Sequence, residues 1–316
     1  LDVCLKELRN RAEDLVDEKT GEVLVKKEDW PLLGLQIVSH NNFPTAAGLA
    51  SSAAGFGCLV ASVGKLLNVQ GDLTAIARRG SGSASRSLFG GWVKWNAGVL
   101  ADGSDSIALQ VADEKHWEDM RVLIFVVRDE KKDVGSTDGM QQSVATSPLM
   151  KERAETIVPQ RMAEIEKAIL NKDFGTFAQI TMVDSDDFHE VCHTTVPPIY
   201  YMNDVSRNVV QLVRAYNALF PQPRVAYTYD AGPNAVLYLL KDDVVPFLKL
   251  GLHYFPFSDA SATVVRTRDE SLWDQVQAHE LPNVSDAPAV SAPDSIKYII
   301  QTLVGPGPIP SPLSIE

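Results

Sequence analysis

Three stretches of this chain place chemically useful residues where small neighbours would leave them reachable. In "DAGPNAV", Asp230 to Val236, Asp230 is the sole acid between Asp204 and Asp242, and it falls where an apolar run breaks into an Ala-Gly-Pro turn. Such a carboxylate either caps the turn or serves as a positioned base, and spacing alone favours the cap. In "RRGSGSASRS", Arg78, Arg79 and Arg86 stand among Ser81, Ser83, Ser85 and Ser87. A guanidinium grips a carboxylate or phosphate through two parallel hydrogen bonds, with serine hydroxyls and glycine amides completing the coordination; the plainer reading is a flexible polar linker. "PTAAGLASSAAG", Pro44 to Gly55, carries no charge and two adjacent hydroxyls, Ser51 and Ser52. At a strand-to-helix junction, small residues let the backbone approach a ligand, and the first helical amides with the positive dipole end favour an anion. Ser51 and Ser52 add hydroxyl donors or help hold a metal. No Gly-Lys-Ser/Thr follows, so this is not a Walker loop. A tight crossing of helix on strand explains the same composition equally well.

A fourth stretch, "HEVCH" from His189 to His193, matches the H-E-x-x-H zinc pattern. On a helix the two histidines would share a face, and Glu190 could polarise a bound water. The match covers only three specified positions, "TTVPPIYY" replaces any metzincin extension, and no Glu lies between Glu190 and Glu270 to supply a third ligand. Two partly exposed helix histidines are expected instead, on a helix ended by Pro197 and Pro198.

The elements that must position these residues follow from periodicity and turn chemistry. "LDVCLKELRNRAEDLV" reads as a surface helix, "LGLQIVSHNN" as a strand running into a turn, and "GFGCLVASVGKLLNV" as a buried helix. Asp72 is placed to cap "LTAIARRG". "WVKWNAGV" opens a strand pair, and the continuous apolar run "RVLIFVV" is expected to be a central strand. Helical patterns cover roughly Pro148 to Leu170, Asp173 to His193 and Asn203 to Leu219. "RVAYTYDAGPNAVLYLL" reads as strand, turn, strand, "DDVVPFLKLGLHYF" as a helix despite Pro246, and "SIKYIIQTLV" as a last strand. Leu281 to Asp294 reads as a loop. Strands and helices mix without strict alternation, which predicts α+β. A composition shift at His116 to Met120 suggests a boundary between domains 1–118 and 119–316.

The formal net charge of −12 argues against a nucleic-acid partner, yet a phosphorylated small molecule can still bind where cations and amides are focused. The three cysteines, Cys4, Cys58 and Cys192, show no paired spacing, which fits a reducing compartment. No apolar run reaches membrane-spanning length.

Taken together, these stretches resemble the GHMP kinase superfamily, whose loop P-x-x-x-G-L-x-S-S-A is matched at every specified position by "PTAAGLASSA". Within it, "NNFPTAAGLASSAAG", "ARRGSGSASRSLFGG", "ADGSDSIALQVA", "VAYTYDAGPNAV" and "KYIIQTLVGPGP" are similar, in the same order, to the mevalonate diphosphate decarboxylase family of eukaryotic type. The resemblance implies a ribosomal protein S5 domain 2-like N-terminal lobe and a ferredoxin-like α/β sandwich C-terminal lobe around a deep cleft. It implies ATP and Mg²⁺ as cofactors and conversion of (R)-5-diphosphomevalonate to isopentenyl diphosphate, ADP, phosphate and CO₂. It also implies a cytosolic homodimer with no nucleic-acid or membrane partner.

By the same resemblance, Asp230 acts on the substrate's tertiary hydroxyl. Arg86 binds the substrate carboxylate and orients Asp230. Ser81, Gly82, Ser83, Ala84 and Ser85 line the substrate, with Ser136 and Thr137 at its edge. Ala47, Gly48, Leu49, Ala50, Ser51, Ser52 and Lys131 face ATP, and Ser52 also faces the metal. The family's Lys-Tyr-Trp-Gly-Lys stretch, carried by its members before the point where this chain begins, is absent. A form truly lacking that segment is expected to show little or no decarboxylase activity and an exposed, association-prone sheet edge. Two other readings remain. A small-molecule kinase of the superfamily, such as a mevalonate or phosphomevalonate kinase, would share the loop without the "SGSASR" and "DAGPNAV" pair. A non-catalytic ligand sensor would keep the fold alone.

Overall fold

The structure, a computed structural model, describes residues 1–17, 19–45, 48–128 and 134–309. The chain divides into two compact units. One comprises Leu1–Phe43, Ala50–His116 and the tail from Gly305; the other comprises Pro44–Leu49 and Trp117–Val304.

The first unit opens with α1 (Asp2–Asn10), β1 (Leu15–Val16) and β2 (Val23–Val25) and continues with α2 (Ser51–Leu66), α3 (Thr74–Gly80), β3 (Trp92–Trp95) and β4 (Ala108–Ala112). Its core gathers Cys4, Leu8, Trp30, Val60, Val63, Leu67, Ile76 and Ala84. Apolar residues at helical spacing on α1 and α2 produce that face. The Asp72 carboxylate accepts from the Thr74 amide and hydroxyl at the start of α3. One expectation fails here, and one alternative is removed. Residues 33–41 form no strand: the alternating apolar side chains have no neighbouring strand to pair with among the described residues, and Val38 is 87% exposed. The "SGSASRS" stretch is not a loose linker but an ordered 3-10 turn, Gly82–Leu88, with Ala84 and Ser85 fully buried.

The second unit is built on a five-stranded sheet. Its elements in order are β5 (Met120–Val126), α4 (Ser136–Thr146), α5 (Met150–Glu152), α6 (Val158–Asn171), α7 (Phe174–Thr194), α8 (Asp204–Asn217), β6 (Val225–Thr228), β7 (Ala235–Leu240), α9 (Lys241–Tyr254), β8 (Val265–Arg266), α10 (Leu272–Ala278) and β9 (Tyr298–Thr302). The strand order is β6-β7-β5-β9-β8, so the apolar run at β5 takes the central place its composition predicts. All pairings are antiparallel except β8 with β9. Leu123 and Phe125 of β5 meet Leu212, Val213 and Tyr216 of α8 and Phe247 and Leu250 of α9 in one core.

Helix caps explain the firmest boundaries. The Asp173 side chain accepts from the Thr176 amide at the start of α7, and Asn203 with Ser206 forms a capping box on α8. A π-helical turn, Arg153–Ile157, joins α5 to α6. Its Arg153 grips Asp184 of α7 through two hydrogen bonds of 2.8 and 2.9 Å. Arg161 of α6 adds bonds to Asp184 and Asp187. Among the described residues no helix is long and apolar enough to cross a membrane.

Candidate active site

In the second unit, every residue of the Asp230 turn is buried except the aspartate itself, from Ala231 through Asn234. The turn is held from three sides. From α7, the Ser185 hydroxyl accepts from the Tyr229 amide at 3.0 Å. From α8, the Ser206 hydroxyl donates to the Pro233 carbonyl at 2.8 Å, and the Tyr229 phenol donates to the Ser206 carbonyl at 2.9 Å. From the end of β5, the Val127 and Arg128 amides donate to the Asn234 side-chain oxygen at 2.7 and 2.9 Å, and the Asn234 amide returns a bond of 2.9 Å to the Arg128 carbonyl. Within the turn, the Gly232 amide donates to the Asp230 carbonyl at 2.7 Å. The Asp230 carboxylate accepts no hydrogen bond among the described residues, so it does not cap the turn that its spacing suggested. What remains is a carboxylate on a fixed backbone, open to react.

The loop Pro44–Leu49 belongs to this same unit. Gly48 lies in the left-handed region at φ 79°, and a Cβ there would stand 2.8 Å from the Gly232 Cα. Glycine is therefore required twice over, by conformation and by close approach to the Asp230 turn. Tyr201 stands nearby. Burial first, then the charges of Cys192, Asp230 and Asp138, push its phenol up to about 12. Its hydroxyl fills the space over Gly139, where a Cβ would be only 2.3 Å away and would displace the phenol. That contact, with Ser143 to Thr195 at 2.9 Å and Ser147 to Thr194 at 2.8 Å, seats α4 on the end of α7. Ser136 and Thr137 occupy the first turn of α4, half-buried and exposed respectively. Lys131 and Ala47 lie outside the described residues.

In the first unit, α2 starts at Ser51 after Ala50, whose φ of 54° is left-handed, and no side chain caps the helix. The earliest helical amides have no intrahelical acceptor. Ser52 in this first turn shares a hydrogen bond of 3.2 Å with Ser81, which joins the helix N-terminus to the Gly82–Leu88 turn. That turn packs closely: a Cβ on Gly57 would lie 2.8 Å from the Ser87 Cβ. Small residues thus serve packing along α2, as the tight-crossing reading expects. Ser85 donates inward to the Gly82 carbonyl at 2.8 Å. The half-buried Arg86 guanidinium lies 5.9 Å over the Trp95 ring. Trp95 also packs against Gly82 and donates to Ser106. The other two arginines of the cluster have structural tasks. Arg78 donates to the Gly103 carbonyl, and Arg79 faces Glu7.

Among the described residues, the "HEVCH" stretch gathers no group of three metal-ligating side chains. His189 is buried at 4% exposure, against the partly exposed position expected of it, while His193 faces Glu190 and stacks on Tyr200. Burial drives His189 inward because Tyr229, Tyr201 and Phe188 form an aromatic wall there. The residues that sequence reasoning missed are the clamps, Asn234, Ser185 and Ser206. The only signal for them is a polar residue within an otherwise apolar or helical stretch.

The donor chemistry suits a nucleotide. Helix amides and serine hydroxyls match phosphate oxygens, and one protein hydroxyl with phosphates and waters is a usual magnesium environment.

Comparison with known proteins shows the family of the chain. Residues 1–108 match the diphosphomevalonate decarboxylase-like N-terminal domain, and residues 122–310 the mevalonate 5-diphosphate decarboxylase C-terminal domain. The chain is 48% identical over 311 residues to diphosphomevalonate decarboxylase of Rattus norvegicus, covering 98% of this chain and 75% of that protein. The solved mevalonate diphosphate decarboxylase from Trypanosoma brucei superposes with a TM-score of 0.83 at 39% identity, over 99% of this chain and 80% of that one. A further solved structure, MDDEF in complex with MVAPP, AMPPCP and magnesium, matches with a TM-score of 0.60 at 34% identity, over 67% of this chain and 64% of that one. With its α+β architecture of the GHMP kinase type and these matches along nearly its whole length, the chain belongs to the diphosphomevalonate decarboxylase family.

Proposed function

We propose that this chain carries out its family's reaction, the ATP-dependent decarboxylation of (R)-5-diphosphomevalonate to isopentenyl diphosphate, ADP, phosphate and CO₂. The observation that carries the reading is the Asp230 carboxylate, exposed and without a hydrogen bond among the described residues, on a turn clamped by Ser185, Ser206 and Asn234. Asp230 takes the proton of the substrate's tertiary hydroxyl as that oxygen attacks the γ-phosphoryl group of ATP. Phosphate then leaves with the carbon–oxygen bonding pair, positive character develops on the tertiary carbon, and the carboxylate's bonding pair collapses into the new alkene as CO₂ departs. Arg86 holds the substrate carboxylate until that step. Ser81, Gly82, Ser83, Ala84 and Ser85 line the substrate, with Ser136 and Thr137 at its edge.

The ATP phosphates are assigned to Gly48, Leu49, Ala50, Ser51 and Ser52 at the start of α2, together with Ala47 and Lys131. Ser52 would offer a hydroxyl to magnesium, which when bound would neutralise phosphate charge. The enzyme is taken to act in the cytosol as a homodimer, with residues 1–118 and 119–316 as its two lobes.

The test is release of CO₂ and ADP from diphosphomevalonate and ATP. Asp230→Asn is expected to lower kcat by about 10²- to 10⁴-fold, the range that a positioned acid or base contributes, with binding of both substrates retained. ADP formation without CO₂ from any mevalonate derivative would instead establish a kinase. An Asp230→Asn protein with unchanged turnover would remove the assignment.

A further inference from the structure

We propose that His189 is a positioning residue for Asp230: its imidazole, seated between the Tyr229 and Tyr201 rings, fixes the backbone from which the catalytic carboxylate projects. The inference rests on the reading of Asp230 as the reacting carboxylate. Three observations carry it.

First, His189 lies one helical turn beyond Ser185 on α7, and Ser185 accepts directly from the Tyr229 amide. Residues four apart share a helix face, so the imidazole continues the same support toward the turn. Second, the ring meets Tyr229 edge-on at 6.2 Å and Tyr201 edge-on at 6.5 Å. Tyr229 immediately precedes Asp230, and Tyr201 is near enough for the charge of Asp230 to act on its phenol. Third, His189 is only 4% exposed, and both of its ring nitrogens are buried without a hydrogen-bond partner. A buried polar group without a partner is rare and costly. If the site needed only a ring for packing, phenylalanine would fill it without that cost. The Tyr229 backbone is close enough to favour the protonated ring, although no contact of hydrogen-bond geometry joins the two. Burial, with a smaller contribution from His193, lowers the imidazole to about 4, so at neutral pH it is an uncharged polar ring facing the Tyr229 peptide.

The test is His189→Phe in the full chain, which keeps an aromatic ring and removes the two nitrogens. The variant is expected to be at least as stable to urea as the parent. Its kcat should fall between about 10- and 100-fold, as for a small misplacement of a reacting group, with KM for ATP unchanged. The backbone amide resonances of Asp230 and Gly232 should shift, and their hydrogen exchange should quicken. A folded variant with parental kcat and parental Asp230 and Gly232 amides would overturn the inference and leave His189 as packing. A variant that cannot fold would also overturn it, because the nitrogens would then hold the fold rather than aim Asp230. The amide readout needs no turnover. A parent chain that binds substrate without releasing CO₂ would count against the proposed function, while the amides would still decide the role of His189.

Discussion

Asp230 has its position set by residues far away in sequence, and this is where substitutions should be most informative. Asn234 accepts from two amides and donates to one carbonyl, all on residues 127 and 128, while itself 1% exposed. Asn234→Asp would turn the donor into a second acceptor facing the Arg128 carbonyl. The expected loss is about 2–4 kcal/mol, the scale of a buried polar group whose bonds are broken, read from urea unfolding. Gly48→Ala meets both a left-handed φ and the Gly232 backbone at 2.8 Å. It should cost about 1–3 kcal/mol and lower kcat as the Asp230 turn is displaced, whereas Gly21→Ala, at φ 72° with nothing within 4 Å, should cost stability without touching turnover. The lone acid at 230, the serine–arginine cluster ending at Arg86 and the paired serines stand out in the sequence because each breaks the pattern around it. The clamp does not. Its bonds join Asn234 to positions 106 and 107 residues away, and nothing local distinguishes a clamping asparagine from a turn asparagine.

At the scale of elements, legibility followed whether local chemistry or tertiary contact decides the structure. The helices α7 and α8 carry their own caps and the strand β5 its own apolar run, so their places are readable. The helix α4, "STDGMQQSVAT", is polar and contains glycine, and gives no helical signal. It is held by Ser143, Ser147 and the fit of Tyr201 over Gly139. The extended segment at 33–41 fails in the opposite sense, having a strand's pattern and no partner strand among the described residues.

The helix α7 is the element on which the Asp230 turn depends, and its acid response is predictable in sign. Burial first, and then the charge of His193, lowers His189 from 6.5 to about 4, with Tyr201 and Tyr229 packed against its ring. Between those values the unfolded chain binds the proton that the folded chain refuses, so stability falls as pH drops from about 6.5 to 4, by at most about 3 kcal/mol. Asp184 acts lower. Burial opposes its ionisation, but Arg153 and Arg161 outweigh that and hold it below the usual carboxylate range. Its contribution is present above the unfolded value near 4 and is lost as pH falls further. Urea midpoints across this range should show both losses in the parent, and only the lower one in His189→Phe.

For the whole molecule, surface composition sets two opposing tendencies. The net charge of −12 keeps copies apart. The first unit nevertheless exposes Leu32 at 82%, Val38 at 87% and Val99 at 94%, and residues 34–40 belong to no strand. Bare apolar side chains outside any sheet favour contact with another chain. Repulsion between net charges is screened over about 8 Å at physiological salt and about 3 Å at 1 M, whereas apolar contact is not weakened. Association through this region should therefore grow with salt, the reverse of an interface held by ion pairs. Sedimentation velocity at several salt concentrations should show a rising share of larger species for the parent. Val38→Lys, which sets a charge on the exposed segment, should suppress it even though it reduces the net negative charge. If Val38→Lys associates as readily as the parent, or if association weakens with salt, the apolar segment is not the contact. A homodimer through a different, polar surface would then account for any assembly observed.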